Sequence, residues 1–131
     1  MTQEEKQLLL TDICARLPYG VFVRYENNDI AETRELGLGT LHDFMFENAD
    51  VKPYLRPMSS MTKEEEKEYN SFIIGQQPFD SDFSAYPIEH KLLYEFDINS
   101  YIDWINAHHF DYRGLIKKGL ALEAPKNMYR F

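Results

Sequence analysis

The sequence predicts an α+β fold in which an N-terminal helix, a small curled antiparallel sheet of about four strands and C-terminal helices packed on that sheet share one core. Three observations point there. A capping-box pair opens a helically spaced apolar stretch at residues 3–16; period-two alternation begins after Gly20; and a second apolar stripe of helical spacing runs from Ile98 to His109. At 131 residues the chain has the size of one domain, and a hydrophobic fraction of 44% can offset the entropy of ordering it. A single, globally ordered domain over 1–131 is expected.

The first helix starts at Thr2 and Glu5, whose types and spacing suit reciprocal capping, and its apolar face is read as Leu10, Ile13, Cys14 and Leu17. Pro18 stops it. Val21, Val23 and Tyr25 then share one face of a strand, and Glu26-Asn27-Asn28-Asp29 supplies residues that tolerate positive φ in a hairpin turn. A second strand is expected over 30–38, with Gly37 and Gly39 marking a kink. Further strands are expected over 41–47 and 51–56, the last placed at an edge or strand start by Pro53. Four short strands with tight turns are compatible with an SH3-like barrel.

Thr62 and Glu65 repeat the capping-box spacing, so a largely exposed helix is expected from Lys63 to about residue 73. Its run Glu64-Glu65-Glu66-Lys67-Glu68 reads as a solvated face with acids near the helix N-terminus. Residues 76–90 carry Phe79, Phe83 and Tyr86 without a period, and an extended segment is expected over 92–96. Asp97 or Asn99 can cap the next helix, in which Ile98, Tyr101, Ile102, Ile105 and His109 form a stripe while Asn99, Asp103 and Asn106 face away. A short final helix is expected over 112–118, with Gly119 at its C′ position.

Cys14 is the only cysteine, which excludes an internal disulfide; set among apolar neighbours, it is expected to be a small buried hydrophobe in a reducing compartment. The acidic N-terminus is unlike a secretory signal, and no apolar run reaches the roughly 20 residues of a membrane span, so a cytoplasmic protein is expected. The net charge is −8: residues 1–42 contribute −3, residues 43–97 contribute −7 and residues 98–131 contribute +2. That balance opposes direct nucleic-acid binding, which needs cations to neutralise phosphates.

Three blocks, Arg16-Leu17-Pro18-Tyr19-Gly20-Val21, Tyr54 to Thr62 (YLRPMSSMT) and Asp103 to Ile116 (DWINAHHFDYRGLI), resemble short uncharacterised proteins of gut bacteria, their prophages and their phages. The resemblance continues through Gly119 to Pro125. It implies a mobile-element setting and a shared fold. It carries no activity, so no catalytic residue comes with it.

Two groups of residues have the types that chemistry requires. His108, His109 and Asp111 could supply imidazole and carboxylate ligands to a metal, but adjacent helical residues point about 100° apart. The competing reading has one histidine at the helix C-terminus and the other in the core. Arg56, Ser59 and Ser60, standing before a helix N-terminus, could hold a phosphate or carboxylate, with Arg113 as a second cation. The competing reading is plain capping and an internal Arg56 contact.

No local Ser or Cys has a base and orienting group beside it, no Gly-rich loop suggests a nucleotide, and no cofactor is expected. The leading expectation is a noncatalytic protein-interaction module. One alternative is a small enzyme or anion-binding protein using His108 or His109, Arg56 and Tyr112. The other is an acidic mimic of nucleic acid.

Overall fold

The computed structural model describes residues 1–76 and 100–129. The chain divides into two compact units, Met1–Met58 with Asn106–Phe131, and Ser59–Ile105. The α+β class stands: helices and one four-stranded sheet make up the described residues.

In the first unit, helix α1 spans Gln3–Arg16. The Thr2 hydroxyl accepts from Glu5 N–H and the Glu5 carboxylate accepts from Thr2 N–H, so both halves of the capping box form. Those hydrogen bonds to Thr2 hold the Glu5 carboxyl below the usual range. The buried face differs from expectation. Leu9, Asp12, Ile13 and Arg16 are buried, whereas Cys14 is exposed. Leu10 and Leu17 are only partly buried against the core. The stripe is rotated because an i,i+4 ion pair shares it, turning the thiol outward.

A 3₁₀ turn at Leu17–Tyr19 and the left-handed Gly20 (φ 70°) lead into β1, Phe22–Asn27. Strand β2, Ile30–Glu35, returns antiparallel through a two-residue turn in which Asn28 takes φ 54°. Val21, Val23 and Tyr25 point into the core as the alternation requires.

Two expected strands are corrected. The second ends at Glu35, Gly37 is extended at an N-cap, and residues 38–46 form helix α2, Leu38–Phe46, instead of a strand over 41–47. Thr40 and Phe44, four apart, are buried and Leu41 packs on the core. A strand would have placed Leu41 and Met45 on the same face as Asp43 and Glu47. The helical period separates them. The Tyr25 hydroxyl donates to Asp43 Oδ2 at 2.7 Å, tying α2 to the sheet and holding the Asp43 carboxyl below its ordinary range.

Strand β3, Asp50–Leu55, pairs antiparallel with β1, and Leu122–Glu123 forms β4, parallel to its end. The order is β2-β1-β3-β4, so the sheet is mixed and open, not a closed barrel or wholly antiparallel. Pro53 is tolerated because β4 pairs only Tyr54 and Leu55.

The expected helix over 112–118 is a series of turns. Gly114 at φ 72° interrupts helical geometry, and Gly119 at φ 75° closes the last turn. Leu115, Leu120 and Ala121 from this segment complete the core around Leu9, Ile13, Val23, Val51 and Leu55.

The second unit contains helix α3, Lys63–Gln76, whose capping box forms between Thr62 and Glu65. Helix α4 is described over 100–107, and its residues from Asn106 onward belong to the first unit. Within the second unit the Tyr101 hydroxyl donates to that of Tyr69 at 3.0 Å, and Trp104 Nε1 donates to Glu68 at 2.7 Å. Burial raises the Tyr101 phenol well above its ordinary value. Ile105 is buried as expected, but Asn106 is buried too, not turned to solvent. The expected extended segment over 92–96, the aromatic stretch 76–90 and the caps Asp97 and Asn99 fall outside the described residues, save residue 76 at the end of α3.

Candidate functional site

The first unit gathers a cluster of charged and aromatic side chains where the end of α1 meets residues 108–116. Arg16, with no solvent-exposed surface, donates from Nε to Asp12 Oδ2 at 2.8 Å and from Nη2 to the Phe110 carbonyl at 2.7 Å. Arg113 Nη1 donates to Asp12 Oδ1 at 2.7 Å, so one buried carboxylate is shared by two guanidiniums. Both guanidiniums also lie over the Tyr112 ring, at 5.4 Å and 4.6 Å from its centroid. Low dielectric strengthens these contacts, and it penalises removal of any one partner. Among the described residues Arg16 Nη1 and the Tyr112 hydroxyl meet no hydrogen-bond partner, and both atoms are shielded from solvent.

Arg56 forms an isolated parallel bridge with Phe110: its N–H donates to His109 O and its carbonyl accepts from Asp111 N–H. Its guanidinium donates to His108 O at 3.2 Å and lies 4.3 Å from the Phe110 ring centroid. Arg56 and Arg113 thus have protein partners within the first unit. Ser59 and Ser60 are exposed in a 3₁₀ turn, Met58–Ser60, and belong to the second unit.

The two histidines have different surroundings. His108 stacks near-parallel to Phe110 with centroids 6.5 Å apart. His109, at φ 63° just past the end of α4, is buried and stacks on Tyr129 with centroids 3.8 Å apart. The Asp111 carboxylate accepts from Leu115 N–H at 2.8 Å and Ile116 N–H at 3.0 Å, capping the turn that follows. Among the described residues no group of three or more His, Cys, Asp or Glu side chains is arranged to hold a metal ion.

Burial, then the nearby charges of Arg16, Arg56 and His108, push His109 down to about 4 from an ordinary 6.5. Above 6.5 the imidazole is neutral in both folded and unfolded chains. Between 6.5 and about 4 the unfolded chain takes up a proton that the folded chain refuses, so His109 makes stability fall as pH drops through this window. The loss is on the order of 3 kcal/mol. Denaturation midpoints measured from pH 7 to pH 4 are expected to fall less steeply for His109→Asn, a residue that accepts the same positive φ. Equal slopes for the two proteins would contradict this.

Tyr129 is a residue that sequence reasoning missed. Its hydroxyl accepts from Phe22 N–H at 2.9 Å and donates to Tyr54 O at 2.6 Å, bridging β1 and β3 where their ladder opens. Its ring lies between those of His109 and Phe22. Burial pushes the phenol up to about 12. Asp12 and Arg16 were also missed, although an acid and a base four apart, bracketing Ile13, were a visible signal.

The first unit also presents apolar surface. On α2, Leu38 is 74% exposed, Phe46 67% and Met45 41%. Met45 and Phe46, with Leu10 of α1, line a groove of about 550 Å³ that Glu4 and Lys6 border. No helix among the described residues is long and apolar enough to cross a membrane. No protein-family model, no curated protein and no solved structure matches this chain.

Proposed function

We propose that the chain is a noncatalytic protein-interaction module of a prophage or phage that acts in the cytoplasm on a host or phage protein. The observation supporting this reading is the α2 surface, where Leu38, Met45 and Phe46 stay in water on the side of the helix opposite the buried Thr40 and Phe44. The groove between α1 and α2 suits a short amphipathic helix of the partner, with apolar anchors toward Met45, Phe46 and Leu10. Glu4 and Lys6 offset each other at the rim, so it is the chain charge of −8 that favours a partner segment carrying Lys or Arg on its flanks. Arg56, Arg113, His109 and Asp111 serve the fold in this reading, since each has a protein contact within the first unit.

Affinity capture from host lysate should recover a partner with the natural chain, lose it with Phe46→Asp or Leu38→Asp, and keep it with Lys126→Asp, at an exposed residue that does not line the groove. Truncating an interface anchor commonly costs 2 kcal/mol or more, roughly a thirtyfold loss of affinity. Recovery of the same partner by Phe46→Asp, in a variant with an unchanged denaturation midpoint, would rule out this surface. Failure to recover any partner would count against the module itself.

A further inference from the structure

Strand β2 borders the sheet, and no strand among the described residues pairs with its outer side. The direction of its backbone groups follows from two facts. Asn27 and Ile30 close a two-residue turn, and Leu36 N–H donates to Val21 O at 2.8 Å. Ile30, Glu32, Arg34 and Leu36 therefore direct their N–H and C=O toward β1, while Ala31, Thr33 and Glu35 direct theirs outward. These three residues are exposed.

We infer that β2 pairs antiparallel with β2 of a second copy of this chain, in the register that places Thr33 opposite the partner's Thr33, so that one sheet runs through a symmetric dimer. This register joins all three outward residues in hydrogen-bonded pairs: Thr33 with the partner's Thr33, Ala31 with the partner's Glu35, and Glu35 with the partner's Ala31. The intervening positions are the closer, non-hydrogen-bonded pairs. There Glu32 faces the partner's Arg34 and Arg34 faces the partner's Glu32.

Charge on the inward side of an edge strand ordinarily deters pairing, because another strand leaves it uncompensated or meets it with like charge. Glu32 and Arg34 make that deterrent selective. Sliding the pair by two residues opposes Glu32 to the partner's Glu32, or Arg34 to the partner's Arg34. Sliding by one mismatches the hydrogen-bonding groups. Arg34 is already held for the encounter, with its guanidinium 3.8 Å from the Tyr25 ring centroid and hydrogen bonds to Glu32 and Thr40. Ile30, 53% exposed in the single chain, comes to lie across from the partner's Leu36.

The test is the mass of the full chain by sedimentation equilibrium. The natural chain is expected at twice the mass of one chain. Thr33→Pro removes an outward N–H that β1 does not use, so it should leave far-UV circular dichroism unchanged and reduce the mass to one chain. Glu32→Arg alone sets Arg against Arg, and Arg34→Glu alone sets Glu against Glu, so each should be monomeric. Mixing the two restores opposite charges at both positions and should restore the dimer mass. Phe46→Asp should leave the dimer intact, which separates this interface from the α2 surface.

A natural chain that remains monomeric up to its solubility limit would overturn the inference. So would a Thr33→Pro variant that still dimerises, or two folded charge variants that stay monomeric when mixed.

Discussion

Replacing Asp12 by Ala is expected to destabilise the first unit by about 3–5 kcal/mol, enough to consume much of the stability of a domain of this size. The Asp12 carboxylate lies wholly inside and accepts from both Arg16 and Arg113. Without it Arg16 keeps only the Phe110 carbonyl and the face of Tyr112, neither of which carries a full negative charge. Arg113 is partly exposed and can turn toward water, so the penalty falls mainly on Arg16. The same reasoning separates breaking the cluster from replacing it. Asp12→Leu combined with Arg16→Met removes both buried charges and fills the space with apolar atoms, so it should cost less than either single substitution. Chemical denaturation of the four proteins checks this, and additive losses in the double variant would contradict it.

Tyr129 carries the second large effect. Tyr129→Phe keeps the ring against His109 and Phe22 but leaves Phe22 N–H and Tyr54 O without the hydroxyl between them. Two backbone groups at a partly buried position then lose a partner, and a cost of about 1–3 kcal/mol is expected. Tyr129→Ala also removes the ring and should cost about 3–5 kcal/mol. Amide exchange at Phe22 should accelerate in both variants, because this N–H loses its acceptor. A Tyr129→Phe protein with the natural midpoint would show that water replaces the bridge at no cost.

Legibility in the sequence followed the range of the interactions. Helix α1, from Gln3 to Arg16, and the hairpin turn at Asn28 were legible because capping and turn chemistry act within a few residues. Helix α2 reads as a strand in the sequence because Phe44 and Met45 suit either conformation, and what settles the matter is the packing of the segment, with Thr40 and Phe44 buried four apart and Asp43 bonded to Tyr25. The apolar neighbours of Cys14 point to an inward thiol, yet Asp12 and Arg16 occupy the inward face. Their partners lie 94 and 101 residues away, at Phe110 and Arg113, and no local pattern reports them. The site residues divide the same way. Arg56, Arg113, His108, His109 and Asp111 were recognisable as residue types able to do chemistry, but the contacts that occupy them come from strand pairing, ring stacking and turn capping.

Side-chain NMR of the arginine Nε–H groups addresses the inward role of Arg16 most directly. If Arg16 is sealed by Asp12 and the Phe110 carbonyl, its Nε–H should exchange with solvent only as fast as the first unit unfolds. Arg24, exposed beside Glu26, should exchange rapidly and supplies the internal comparison. An Arg16 signal that exchanges as fast as that of Arg24 would mean an open, solvent-filled cleft at this position, and the assignment of these residues to the fold would fail.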